Sequence, residues 1–215
     1  MAREPRRPPT RILLVRHGQT VSNKEGRFCG HSETTLTPLG IEQARALGRR
    51  LASLPLDAVY TSDFSRSIDT AAIILAGRDL TPRVDAGFRE IHYGDWEMER
   101  ERDIARRDRE TMRLLRAEDP SWRPPGGETI DEVRRRTLAA LDRVIRAHPH
   151  QSALIVTHGT AINCLLAGIL RMDPAFTFRI TIANCALNEL VVYNRRVLVT
   201  CLNDRSHLQG IESPS

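Results

Sequence analysis

The chain is poor in lysine, cysteine and aromatic side chains, and it has no long apolar run. Of its 215 residues 5% are aromatic, four are cysteine, and Lys24 is the single lysine. Cys29, Cys164, Cys185 and Cys201 lie far apart and form no C-x-x-C pair. Neither a zinc ribbon nor a disulfide framework is therefore suggested. Uninterrupted apolar stretches such as Ile12 to Val15 are short, whereas a bilayer span needs about 20 residues. Met1 to Pro9 is rich in Arg and Pro, and no apolar stretch of secretory-signal length follows. The expectation is a cytoplasmic protein with no membrane partner. A composition of 40% hydrophobic and 27% charged residues excludes disorder of the whole chain. A mass of 24.3 kDa suits one domain.

What is abundant is arginine. Of the 32 Lys and Arg residues all but Lys24 are arginine, and the net charge is +5. Guanidinium groups hold phosphate through forked hydrogen bonds, so this balance fits an anionic substrate. The basic runs, such as Arg134-Arg135-Arg136 after Asp131-Glu132, are interleaved with acids. They read as solvated, ion-paired helix faces. No nucleic-acid-binding signature accompanies them, so no nucleic acid partner is expected.

Residues 1–9 read as a flexible tail and 209–215 as a flexible end. Between them, short apolar runs alternate with helical periods. Arg11 to Arg16, Asp57 to Thr61 and Ala153 to Thr157 read as buried strands, with a short strand at Val84. Thr37-Pro38 starts a helix with Thr as N-cap and Pro at the first position. Ser67 to Ala76 and Ala161 to Leu170 read as further helices. Thr129 and Glu132 form a capping box, and Ile130 to Ile145 keeps helical period. Residues 97–118 are polar and helix-permissive, with a thin stripe of Ile104, Met112 and Leu115. Pro-Pro-Gly-Gly at 124–127 breaks the chain. Leu187 to Tyr193 and Val197 to Leu202 flank Asn194-Arg195-Arg196 as a hairpin. This alternation predicts an α/β fold: a three-layer α/β/α sandwich with a mixed, mainly parallel sheet. One domain over 10–208 with an inserted lid at about 97–127 is expected. Ligands of such sheets sit at the carboxyl ends of the strands.

Two of the strands end alike, in Val15-Arg16-His17-Gly18 and Thr157-His158-Gly159. Each places a histidine just past a buried strand, before a glycine that permits close backbone approach or a positive φ. No H-x-x-x-H pair or ligand-spaced carboxylate accompanies either one, so no metal is expected. His31, His92, His148, His150 and His207 end no comparable strand and read as structural.

Leu14-Val-Arg-His-Gly-Gln-Thr20 resembles the signature of the histidine phosphatase superfamily, the phosphoglycerate mutase-like proteins. Three further blocks follow in the family's order. Thr61-Ser-Asp-Phe-Ser-Arg66 resembles its second arginine motif, Phe88-Arg-Glu90-Ile-His-Tyr-Gly94-Asp-Trp96 its acidic motif, and Val156-Thr-His158-Gly159 its second histidine motif. The resemblance spans Arg11 to His207. It implies catalytic roles for Arg16, His17, Arg66, Glu90 and His158, and lesser substrate contacts from Asn23, Gln19, Thr20, Arg27 and Gly159. His17 would attack phosphorus, with a backbone carbonyl near Gly18 fixing its other ring nitrogen. Arg16, Arg66 and a charged His158 would hold the phosphoryl oxygens. Glu90 would act as acid and then base, a role that suits a carboxyl holding its proton more firmly than usual. No cofactor is implied. Trp96 is expected to pack; Tyr93 would touch substrate or fill the wall.

The family contains phosphatases and mutases. Glu90 and His158 are separated by 68 residues, a shorter segment than the cofactor-dependent mutases carry there. Asp95-Trp96-Glu97 also resembles the phosphatase branch, with features of α-ribazole phosphatases and of broad-specificity phosphatases. The expected substrate is a small phosphorylated metabolite: α-ribazole phosphate, a sugar phosphate or a phosphoserine-like ester. A mutase is the alternative, since the lid arginines Arg106, Arg107, Arg109, Arg113 and Arg116 suit a bisphosphate. A catalytically silent phosphate-binding protein is the alternative of another class, and the complete residue set argues against it. The sequence leaves a homodimer open.

Overall fold

The computed structural model describes residues 8–119, 121–194 and 196–211. Most of the two expected tails, together with Pro120 and Arg195, lies outside the described residues.

Thr10–Arg16 forms β1, Ala58–Thr61 β2, Arg83–Val84 β3, Ser152–Thr157 β4, Leu187–Tyr193 β5 and Arg196–Asp204 β6. They make one mixed sheet in the order β3-β2-β4-β1-β5-β6. The first four in that order are parallel, and the β5–β6 hairpin adds antiparallel to β1. The central strands are apolar throughout because both their faces are covered. Their alternate residues divide between two cores. Ile12, Leu14, Tyr60, Ala153 and Ile155 pack on one side with Leu141, Val144, Ile162 and Leu165. Leu13, Val15, Val59, Leu154 and Val156 pack on the other with Ala44, Leu47, Ala71 and Ile74.

The helices supplying those faces are α2 (Pro38–Leu51) and α3 (Ser65–Ile74) on one side. Helices α6 (Ile130–Ala147) and α7 (Gly159–Ile169) cover the other. A short helix, α1 (Val21–Glu25), follows β1. Thr37 caps α2 ahead of Pro38, and Thr129 with Glu132 closes the capping box on α6, as expected; such caps contribute about 1 kcal/mol each. Helix α3 begins two residues before the expected Ser67, which brings Arg66 into its first turn.

Residues 97–118 do not form one helix. They split into α4 (Glu101–Arg107) and α5 (Arg109–Arg116), because the Asp108 side chain accepts from the Thr111 N–H and restarts the chain. Ile104 and Met112 bury in a third apolar cluster with Ile91, Trp96, Trp122 and Val133. Trp96 packs, as expected, and its indole N–H donates to Asp108 at 3.1 Å.

Candidate active site

The register of the sheet makes the site. Arg16 on β1 pairs with Thr157 on β4, so the residues after each, His17 and His158, emerge side by side. Their ring centroids are 5.1 Å apart and the rings meet edge to face. Strand β2 ends at Thr61 beside Val156, which places Ser62 next to His158. This is the crevice beyond the carboxyl ends of parallel strands.

His17 is 4% exposed. Its Nδ1 lies 2.8 Å from the Gly18 carbonyl oxygen. A carbonyl only accepts, so Nδ1 carries the proton and Nε2 keeps its lone pair. Burial, with the Arg16 and Arg66 charges beside it, holds the ring pKa well below an ordinary histidine, against the pull of the Gly18 carbonyl. The Asn184 side chain donates to the His17 carbonyl at 3.0 Å and to Asn23 Oδ1 at 3.2 Å. The glycine after His17 is there for close approach: a Cβ on Gly18 would lie 2.5 Å from the Gly40 carbonyl oxygen. Gly159 differs, since a Cβ there would make ordinary contact, 3.4 Å from Arg16 Nε.

Arg16 donates through Nη1 to the Ile182 carbonyl at 2.7 Å. Its Nε is buried with no partner. An unpaired guanidinium N–H is costly unless a ligand supplies an acceptor. Burial lowers the Arg16 pKa, while the Glu90 carboxylate opposes that shift.

Arg66 is 1% exposed. Its Nη1 donates to Ser32 O at 2.8 Å and its Nη2 to Gly30 O at 2.5 Å. The Nε donates to His158 Nδ1 at 3.2 Å. Three of the five guanidinium hydrogens are thus engaged, and two remain for a ligand. Because Arg66 can only donate, His158 Nδ1 is an acceptor and Nε2 carries the hydrogen, 2.8 Å from Ser62 Oγ. Burial and the Arg66 charge hold the His158 pKa well below normal. The expected imidazolium is therefore not the state of the ligand-free site, and both ring nitrogens face protein partners.

Glu90 is 8% exposed and lies against the start of α7. Its carboxylate accepts from the N–H groups of Ile91 at 2.9 Å, Thr160 at 3.1 Å and Ala161 at 3.1 Å. Three backbone donors and a helix N-terminus suit an anion. His31, read as structural, contacts the Glu90 backbone carbonyl through Nε2 at 3.0 Å.

A cleft of about 440 Å³ opens over Arg16, His17 and Glu90 and is lined also by Asn23, Arg27 and Gly159; the buried Arg66 and His158 are not among its lining residues. Tyr93 lines it too and packs on Phe28. Gln19 and Thr20 are not among its lining residues. Gln19 Oε1 accepts from Thr37 at 2.9 Å, and Thr20 caps α1 in a reciprocal pair with Asn23. Both position the loop. Ser62, Ser67, Asn184 and Asn163 are site residues that the sequence did not single out; Ser62 lies within the second arginine motif and Ser67 just after it, but only Arg66 was given a role there. Among the described residues, no group of three or more His, Cys, Asp or Glu is arranged to hold a metal ion.

Residues 12–205 match the family model of the histidine phosphatase superfamily, branch 1. The adenosylcobalamin/α-ribazole phosphatase of Salmonella typhimurium is 31% identical over 196 residues, which is 91% of this chain and 97% of that protein. A probable phosphoglycerate mutase of Yersinia enterocolitica is 31% identical over 179 residues, covering 83% of each chain. The structure of YhfR from Bacillus stearothermophilus superposes with a TM-score of 0.90 at 31% identity, covering 94% of this chain and all of that one. The register that sets the two strand-end histidines side by side and this match across nearly the whole sheet agree: the chain belongs to the histidine phosphatase superfamily.

Proposed function

We propose that the protein hydrolyses small phosphomonoesters through a phosphohistidine on His17. The observation that carries this reading is the 2.8 Å contact between His17 Nδ1 and the Gly18 carbonyl, which leaves Nε2 unprotonated beside two arginines. Nε2 attacks phosphorus and the bond to the alcohol oxygen breaks. Arg16 Nε and the two remaining Arg66 hydrogens take up the phosphoryl charge. Glu90, which takes up a proton as the phosphate dianion binds beside it, gives that proton to the departing oxygen. Water then attacks the phosphohistidine, the P–N bond breaks, and Glu90 recovers a proton from that water. Each turnover therefore returns Glu90 protonated and releases alcohol and inorganic phosphate. Neutral His158 already carries its Nε2–H, which can be shared between Ser62 Oγ and a phosphoryl oxygen while Nδ1 goes on accepting from Arg66.

The 97–127 segment acts as a lid over the leaving group. Its Arg106, Arg107, Arg113 and Arg116 are exposed and paired with Asp103, Glu99, Glu110 and Glu101. None of these arginines lines the cleft, which favours water over a retained bisphosphate as phosphoryl acceptor. The reaction is metal-independent and takes place in the cytoplasm; among the described residues no helix is long and apolar enough to cross a membrane. The test is phosphate release in EDTA together with trapping of acid-labile phosphate on the protein. Release that requires added metal, or turnover with no label on His17, would sink the mechanism. Isomerisation of 3-phosphoglycerate faster than its hydrolysis would make the protein a mutase instead.

A further inference from the structure

Asn23 lines the cleft, and the direction of its carboxamide decides what it offers a ligand. Turned one way it presents two N–H donors; turned the other it presents a carbonyl oxygen. A phosphoryl dianion is held by the first arrangement and repelled by the second.

Two backbone groups fix that direction. The Thr20 N–H can only donate, and it reaches Asn23 Oδ1 at 3.2 Å. The His17 carbonyl can only accept, and it takes a hydrogen from Asn184 Nδ2 at 3.0 Å. Asn184 Nδ2 carries a second hydrogen, which goes to Asn23 Oδ1 at 3.2 Å. Asn23 Oδ1 thus faces two protein donors, and the Nδ2 end of the side chain is left for a ligand.

Asn184 is itself held against the end of β1. On one side of it the Ile182 carbonyl accepts from Arg16 Nη1 at 2.7 Å. On the other the Cys185 N–H donates to the Arg16 carbonyl at 2.9 Å. Cys185 makes that bond at a φ of 53°, in the left-handed region that side chains other than glycine seldom occupy. The Ala183 N–H donates to Asn203 Oδ1 at 2.9 Å and ties the same loop to β6. Asn184 does not line the cleft. It can reach a ligand only through the groups it holds.

We propose that Asn184 is a positioning residue that sets the polarity of Asn23, so that Asn23 meets the phosphoryl group as a donor. This rests on the phosphatase reading above and adds to it a residue from outside the four sequence blocks.

The test is a double-mutant cycle read by the inhibition constant of inorganic phosphate as a competitive inhibitor. Asn184→Asp removes the donor and puts a carboxylate beside Asn23 Oδ1. The Asn23 amide then turns its Nδ2 to that carboxylate and its oxygen to the cleft. With Asn23 present, Asn184→Asp is expected to weaken phosphate roughly tenfold or more, the cost of setting an acceptor against an anion. In an Asn23→Ala background the same change is expected to weaken phosphate less than about threefold, because no amide is left to turn. The added negative charge, and any loosening of the His17 backbone, act alike in both backgrounds and cancel. Asn184→Leu removes the donor without adding charge. It is run through the same cycle in case Asn184→Asp does not fold, with the same pattern expected at smaller amplitude. Equal losses in the two backgrounds, or no loss in either, overturn the positioning role and leave the phosphatase reading standing. A parent protein that neither binds phosphate nor hydrolyses any phosphomonoester overturns both.

Discussion

Arg136 grips the main chain of Glu90 from behind: its Nη2 donates to the Glu90 carbonyl at 2.8 Å and to Glu128 Oε2 at 2.8 Å. Its Nη1 also holds the carbonyls of Gly87 at 3.1 Å and Arg89 at 2.6 Å. Glu128 in turn accepts the His92 N–H at 2.9 Å. A single guanidinium on α6 thus fixes the backbone on both sides of the carboxylate.

Arg136→Ala should therefore act on the proton-transfer step. A small displacement of Glu90 is expected to lower kcat about 10- to 100-fold with little change in KM. Alkyl esters, whose alcohols need the proton, should suffer more than nitrophenyl esters. Equal losses on both would point to general loosening. Arg136→Lys should not rescue, because one ammonium cannot reproduce the fork.

His17→Ala should leave the fold intact and remove the labelled phosphoenzyme. Phosphate release is expected to fall about a thousandfold or more. Wild-type turnover in this variant would exclude His17 as nucleophile.

Acid should destabilise the protein through its two central histidines. Burial lowers both pKa values well below 6.5. Below about pH 6.5 the unfolded chain binds protons that the folded ligand-free site refuses, so stability falls as pH falls. The slope is about 1.4 kcal/mol per pH unit for each histidine. Urea midpoints at pH 7.5, 6.0 and 5.0 read this directly, and His158→Asn should flatten the curve. A saturating phosphate analogue should flatten it as well.

Glu97 ties the Gly30–Ser32 turn to the acidic block. Its carboxylate accepts from the N–H groups of Gly30 at 3.1 Å, His31 at 2.9 Å, Ser32 at 3.1 Å and Tyr93 at 2.9 Å. Burial alone would raise its pKa, but the donors from His31, Tyr93 and Ser32 bring it below the ordinary value. Glu97→Gln should cost about 1–3 kcal/mol. It should also weaken phosphate binding, because the carbonyls of Gly30 and Ser32 orient Arg66. A calorimetric Tm and a phosphate titration check the two effects separately.

Strand ends and helix starts were legible because local chemistry marks them. Apolar runs stopping at His17 and His158, Thr37 before Pro38, and Thr129 with Glu132 all declare themselves within a few residues. Contacts made by return of the chain do not. Asn184 reaches His17 from 167 positions away, and nothing near Asn184 announces it. The hydroxyls of Ser62 and Ser67 become partners of His158 only once β2 lies beside β4. Gln19 and Thr20 show the converse: the resemblance implied substrate contacts, yet their side chains bond to Thr37 and Asn23 and do not line the cleft. The division of residues 97–118 into two helices at Asp108 was equally hidden, since an aspartate inside a polar run looks like any other helix-face acid.

The small apolar cluster that residues 97–127 help to form has an evolutionary consequence. It is separate from the two cores that flank the sheet and shares Ile130 and Val133 with the first turn of α6. Mutations at Leu115, Trp122 or their neighbours strike a cluster that contains no residue of β1 or β4. A lineage can explore new alcohols while inheriting its phosphoryl chemistry unchanged, and gene duplicates of this chain should diverge first between positions 97 and 127.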